Sequence, residues 1–283
     1  MLELFAKTFD PTDFYTALTP TQRGVVLPSS LEKYAEGLEK FLGLSLNFTF
    51  EEFQFYTSDV VLSEKRAILL FSGGVDSTHT LIANLDKYEK IVCVFIENLN
   101  PSISSREKRA VMKWASHPKV DLVFLKHHKD LKRLHREDPI LTNEKNIKNL
   151  LESQVKNQYG MYLCLELIEA HRTGVFLVPM DIEGDPDTAD YDDVYSDTRE
   201  SYELFGGFLK ELCGVRIEFS EEYKRAKISL LVEQGQFGET WFCYMSQLYF
   251  KAQQNRTKPP FSNMCGACWK CKRYSPILNG IMK

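Results

Sequence analysis

Apolar and polar positions change their rhythm along the chain. Between Leu31 and Leu42, the residues Leu31, Tyr34, Leu38, Phe41 and Leu42 recur at helical spacing, and Ser29 or Ser30 suits the N-cap. Leu44, Leu46, Phe48 and Phe50 then alternate with polar residues, the pattern of a half-buried strand. From Arg66 onward short, wholly apolar runs alternate with helical stretches. Ala67–Phe71, Ile91–Ile96, Val120–Leu125 and Val175–Val178 read as strands, with a further one at Val215–Phe219. Helices are expected from the turn after Phe71 to about Lys87, over Ser104–Ser116, near 150–172, near 198–212 and over Arg225–Gln234. Strands apolar along their whole length belong to a parallel sheet covered on both faces, and right-handed crossovers wind such a sheet doubly. The expected fold class is therefore α/β, a doubly wound and mostly parallel sheet. Residues 1–62 form an N-terminal α+β extension to it, 63–239 the core domain and 240–283 a C-terminal module.

Composition narrows the classes. With 43% hydrophobic and 26% charged residues in 283, and with 19 Phe and 13 Tyr, the chain has ample core material for a folded state. Its net charge of −4 disfavours a nucleic acid partner, which needs a basic footprint. Its longest apolar stretches are far short of the roughly 18 residues of a bilayer span, and Glu3 and Lys7 interrupt the start where a secretory signal would be apolar. A cytoplasmic protein without a membrane partner is expected, so its seven cysteines read as thiols or metal ligands rather than disulfides. Residues 181–200 carry nine acidic side chains and suit a solvated loop or a docking surface.

Two segments carry candidate chemistry. Phe71-Ser72-Gly73-Gly74-Val75-Asp76-Ser77-Thr78 lies between a strand and a helix, where an α/β sheet presents its ligands. Gly73 and Gly74 allow a tight turn that brings N–H groups up to an anion, and Ser72, Ser77 and Thr78 can donate hydroxyl hydrogen bonds. The following helix adds its positive end. Asp76 would be repelled by bare phosphate, which points to Mg²⁺ or to a role in shaping the loop. The string is neither a Walker A loop nor a dinucleotide fingerprint. Near the other end, Cys265-x₂-Cys268-x₂-Cys271 supplies three thiolates in seven residues, and Cys243 in Thr240-Trp241-Phe242-Cys243-Tyr244 is the candidate fourth ligand. A structural Zn²⁺ site is the preferred reading. The same spacing also serves iron–sulfur clusters, the competing one. Cys93, Cys164 and Cys213 stand alone and suit the core.

Ser-Gly-Gly-Val-Asp-Ser resembles the pyrophosphate loop of the ATP pyrophosphatase superfamily, in an adenine-nucleotide α-hydrolase-like core. Together with Thr-Trp-x-Cys-Tyr and Cys-Gly-x-Cys-x-x-Cys it is similar to the 7-cyano-7-deazaguanine synthase (QueC, also called ExsB) family. Tyr195-Ser196-Asp197-Thr198-Arg199 resembles that family's Tyr-Pro-Asp-Cys-Arg, and Lys227 its lysine at the head of the last core helix. The resemblance implies an ATP-dependent C–N ligase. It would adenylate a 7-carboxy-7-deazaguanine-type acid and release pyrophosphate, so that ammonia or another amine gives an amide or a nitrile. It also implies ATP and Mg²⁺ at residues 71–78, with Asp76, Asp197, Arg199 and Lys227 as catalytic candidates. Arg199 and Asp197 would hold the acid, and Lys227 would neutralise phosphate charge. The family's Tyr-Gly-Gln-x-His has become Glu97-Asn98-Leu99-Asn100-Pro101, and its Pro-Gly-Arg-Asn has become Lys156-Asn157-Gln158-Tyr159. These departures surround the base and acceptor pocket. Beside ammonia, an amine on a protein, as in a defence-type system, or on another nucleoside stays open as the acceptor; RNA thiolation from the same loop and a nucleotide-binding regulator without catalysis stay open as functions, and a homodimer as the assembly.

Overall fold

The computed structural model describes residues 25–29, 32, 36, 48–51, 60–96, 101–125, 164–180, 210, 214–243 and 247–282. Two short strands, β1 (Val25–Pro28) and β2 (Phe48–Glu51), pair in parallel with Val25 opposite Phe48. The expected strand over 44–50 is thus met at its C-terminal half. The helix expected over 31–42 lies, but for residues 32 and 36, outside the described residues.

The main sheet is built from β3 (Ser63–Leu70), β4 (Lys90–Ile96), β5 (Val120–Leu125), β6 (Thr173–Pro179) and β7 (Arg216–Ser220). All five strands are parallel, in the order β5-β4-β3-β6-β7. The chain winds outward from β3 to β5 and then resumes on the other side of β3. Open α/β sheets take their ligands at such a reversal, outside the carboxyl ends of the strands, here those of β3 and β6. The three central strands are buried through their middles: Ala67, Ile68 and Leu69, then Ile91 to Phe95, then Val175 to Val178 are almost inaccessible, whereas the outer strands β5 and β7 are mostly half-buried. β3 starts four residues before its apolar run, because pairing outlasts burial. Its polar start is tied by the Ser63 N–H to the Arg172 carbonyl at 2.9 Å and by Glu64 to Arg216 at 3.0 Å.

Helix α1 (Val75–Asn84) follows β3, and α2 (Pro101–Met112) follows β4. α1 stops three residues before the expected Lys87, where the chain tightens through Leu85 N–H to Ile82 and Lys87 N–H to Asn84. α2 is shifted toward the N-terminus of the expected Ser104–Ser116. Proline suits a first helical position, and the far end closes in tight turns from Trp114 to Val111 and Ala115 to Met112. α3 (Leu165–His171) starts after Cys164 as its N-cap and falls at the end of the stretch where a long helix is expected near 150–172, the rest of which lies outside the described residues. α4 (Lys224–Glu233) sits almost where periodicity places it. The tail adds a 3₁₀ turn (Phe237–Glu239), α5 (Gln247–Thr257) and α6 (Trp269–Ile281), three elements without a counterpart in the sequence reading. The helix expected near 198–212 and the acidic 181–200 segment fall almost entirely outside the described residues.

The chain divides into two compact units. One comprises Met1–Ile68, His127–Phe176 and Asp193–Glu218; the other comprises Leu69–Lys126, Leu177–Asp192 and Phe219–Lys283. In the second, one buried cluster joins Val75 of α1 and Ile228 and Leu231 of α4 to Phe237, Phe242, Met264, Tyr274, Leu278 and the tail cysteines. Among the described residues no helix is long and apolar enough to cross a membrane.

Candidate functional site

Two constellations stand out, both within the second unit. The first begins where β3 ends. Phe71 is buried, with its N–H on the Val94 carbonyl at 2.8 Å and its ring edge-on to Trp114, so it offers the loop only its backbone. Gly73 has φ +71°, and a Cβ there would lie 2.9 Å from the Ala110 Cβ and 3.2 Å from the Val111 nitrogen. Only glycine fits, because the left-handed backbone and the approach of α2 both exclude a side chain. The Trp241 N–H holds the Gly73 carbonyl at 2.8 Å, a strap that fixes the turn from outside.

Gly74 is the N-cap of α1 and makes no side-chain cap. The first-turn N–H groups of a helix have no partner inside the helix, and their positive end is a ready anion site. The hydroxyls are arranged around it. Ser72 Oγ accepts from the Gly74 N–H at 3.3 Å and lies 3.2 Å from Ser77 Oγ, while the Thr78 N–H makes the first helical bond to Gly74 at 2.9 Å. Ser72 is exposed; Val75, Ser77 and Thr78 are buried.

Asp76, in the first turn of α1, meets two lysines from the first turn of α4. Lys224 Nζ donates to both carboxylate oxygens at 2.6 Å. Lys227 Nζ donates to one of them at 3.3 Å and also to the Met180 carbonyl just beyond β6. Both lysines are almost inaccessible, Lys227 completely. Burial alone would raise the Asp76 carboxyl, but the ammonium groups of Lys224 and Lys227 prevail and hold it below its ordinary value. Behind them, buried His79 lies 3.5 Å from Ser220 Oγ, which donates to Glu222 at 2.8 Å. Burial draws the His79 pKa down, with Glu222 opposing.

Lysines are almost never fully buried, and cations in the first turn of a helix oppose its dipole. Two of them at that position, facing an uncapped helix start, make an anion site. Lys227 was legible from the sequence; Lys224, His79 and Glu222 were missed. The spacing of Lys224 and Lys227, three apart and hence on one helix face, is the signal that could have found the first. Asp197 and Arg199 lie outside the described residues.

The second constellation is the tail. The sulfurs of Cys243, Cys265, Cys268 and Cys271 lie within 4.8 Å of one another, all buried. Two opposite edges measure 3.8 Å (Cys243 to Cys268) and 3.7 Å (Cys265 to Cys271). Thiolates about 2.3 Å from one tetrahedral ion would be about 3.8 Å apart, so the four fit a single metal ion. Backbone N–H groups already point at the sulfurs: Cys268 and Ala267 donate to Cys265 at 3.2 and 3.4 Å, Cys271 to Cys268 at 3.4 Å, and Cys265 to Cys271 at 3.3 Å. Gly266 makes this knuckle with φ +72°, where a Cβ would collide with Thr257 at 2.3 Å. The other described free thiols, Cys93 and Cys164, are pushed up by burial and belong to the core.

The two constellations share the stretch Thr240–Cys243. Trp241 straps the glycine turn, and Cys243 two residues later is a candidate ligand. Arg106 of α2 lies over the rings of Trp241 and Phe250, 5.0 and 5.5 Å from their centroids.

No curated protein matches the chain. Among solved structures it is similar to the U34-tRNA thiolase NcsA from Methanococcus maripaludis with its 4Fe-4S cluster, at 15% identity and a TM-score of 0.41, over 89% of this chain and 78% of that one. Residues 66–278 match the family described as queuosine biosynthesis protein QueC, a span that contains the glycine turn, both lysines and all four clustered cysteines. The chain belongs to the QueC family.

Proposed function

We propose that this protein is an ATP-dependent C–N ligase that activates a 7-carboxy-7-deazaguanine-type acid. One observation carries the reading. The uncapped start of α1, framed by Gly73 and Gly74, faces Asp76, Lys224 and Lys227, which is a site for a polyphosphate with a divalent cation. The turn and the helix N–H groups hold the β- and γ-phosphates, and Ser72 and Ser77 add hydroxyl donors. Asp76 has the chemistry to hold Mg²⁺, which is commonly bound through one or two carboxylates together with substrate phosphates; bound there, the ion would draw charge from the phosphates. Lys227 keeps its cation in place through the Met180 carbonyl and stabilises the charge that builds on the departing pyrophosphate. The substrate carboxylate oxygen attacks the α-phosphorus, the α–β bridging P–O bond breaks, and pyrophosphate leaves with the electron pair. Asp197 and Arg199 are assigned to orient the acid, and an amine then displaces AMP.

Zn²⁺ in the Cys243–Cys265–Cys268–Cys271 set is structural in this reading. Four thiolates leave no open position, so the tail shapes the site without taking part in the chemistry.

The departures from the family pattern at 97–101 and 156–159 favour an acceptor other than ammonia, and a protein amine is the second reading. Pyrophosphate release by purified metal-loaded protein tests the first step. Release should depend on the deazaguanine acid, and release indifferent to every such acid would reject the substrate assignment. Mass spectrometry of co-expressed neighbouring proteins for a deazaguanine-sized adduct decides the acceptor.

A further inference from the structure

Lys224 stands in the way of the cation that Asp76 is suited to hold. Its ammonium sits 2.6 Å from both carboxylate oxygens. A divalent ion such as Mg²⁺ needs such an oxygen at about 2.0–2.1 Å, and with the ammonium bridging the pair it would be confined to the outer lone pairs and repelled by Lys224. Lys227 is placed differently, 3.3 Å from one oxygen and anchored on the Met180 carbonyl. Of the two, Lys224 is therefore the ammonium that must leave. It rises from the first turn of α4 on a flexible four-carbon stem, with the Tyr274 ring 6.0 Å from its Nζ. The anion that would receive it is the phosphate chain at the start of α1, whose first turn also carries Asp76.

We propose that Lys224 is a placeholder counter-ion. It occupies the metal-binding oxygens of Asp76 in the nucleotide-free protein and passes to a terminal phosphate oxygen when MgATP enters. This rests on the reading of the site as a triphosphate site. Its consequence is that free divalent cations bind poorly until a nucleotide brings an acceptor for Lys224, so cation and nucleotide enter together. Without the placeholder, Asp76 would collect a bare divalent ion and hold it in an unproductive site.

The test is Lys224→Met, which keeps the stem and removes the charge. Mn²⁺ alone, titrated into the full-length metal-loaded protein and followed by electron paramagnetic resonance, should bind at least about tenfold more tightly than to wild type. A methylene-bridged, non-hydrolysable ATP analogue with Mg²⁺, followed by calorimetry, should bind at least about tenfold more weakly. These changes have opposite signs. A salt bridge that serves only stability would leave both affinities alone or weaken both, and either result overturns the proposal. An independent readout uses the wild type with an acyl-phosphate derivative of ATP, which acylates amines near the terminal phosphate. Peptide mass spectrometry should find Lys224 acylated in a Mg²⁺-dependent way, and acylation of Lys227 alone would overturn the proposal even if the Met variant fails to fold. Wild type that binds no nucleotide rejects the triphosphate reading and the placeholder together. Normal nucleotide binding with an indifferent Lys224→Met rejects the placeholder only.

Discussion

The glycine turn and the cysteine tail pose the same electrostatic problem and solve it in opposite ways. Around Asp76 the chain supplies both signs of charge, from Lys224 and Lys227, so the cluster is held together by its own groups and can exchange partners. In the tail the chain supplies four groups of one kind, converging to within 4.8 Å and ready to become anions. Backbone N–H groups point at those sulfurs, and an external ion with charge and tetrahedral preference makes four converging thiolates favourable. On the proposed reading, one cluster changes state during a cycle and the other stays closed. The stretch Trp241–Cys243 links the two, because a candidate metal ligand and the strap on Gly73 are two residues apart.

The largest effect is expected at the tail cysteines, where one external ion would balance four thiolates. A structural tetrathiolate site contributes on the order of 10 kcal/mol to folding. Cys268→Ala should therefore abolish stoichiometric metal and lower the melting temperature by more than any other single change considered. Equal melting curves for the variant and the parent would remove the tail from this comparison.

Next comes Lys227→Ala, which leaves the Met180 carbonyl and the Asp76 carboxylate short of a buried partner. Loss of a buried charged partner costs about 3–5 kcal/mol, and pyrophosphate release should fall by at least about a hundredfold. Retained turnover would show that Lys227 is a scaffold residue only. Gly73→Ala probes the turn itself. A side chain in the left-handed region costs about 1–3 kcal/mol, to which the contact with Ala110 adds. The denaturant midpoint should drop and ATP affinity should fall with it, whereas an unchanged midpoint would contradict the tight packing of α2 on the turn.

The smallest effect sharpens the electrostatics behind the lysines. His79, faced by Glu222, Lys227 and Asp76, has its pKa drawn below 6.5 by burial. The unfolded chain then binds the proton more readily than the folded one, so stability falls as pH drops from about 6.5 toward the depressed folded value. His79→Gln should flatten that part of the stability–pH curve, and an unchanged slope would assign the titration elsewhere. Asp76 contributes in a lower window. Its stabilisation is complete above the ordinary 3.8 and is lost as pH falls from there through its depressed value.

The difference between the clusters also explains what was legible beforehand. Three of the four cysteines stand within seven residues, and regular local spacing of one residue type is visible without a fold. The buried strands were legible for the same reason, since each is a short apolar run. The Asp76–Lys224 pair spans 148 positions and exists only because the sheet reverses direction at β3 and α4 docks on α1. No local pattern encodes such a meeting, beyond two lysines three apart where a helix start disfavours them. Likewise α5, the 3₁₀ turn and the Trp241 strap are consequences of packing around the clustered cysteines rather than of periodicity.

On the proposed reading the start of α1, with Asp76 and the two lysines, receives a triphosphate. Calorimetric titration of a non-hydrolysable ATP analogue with Mg²⁺ into the metal-loaded protein, beside Asp76→Asn, tests it most directly. Saturable one-to-one binding to the parent that is weakened at least about tenfold in the variant is the expected result. Absence of binding to the parent, or equal binding to both, would contradict the account.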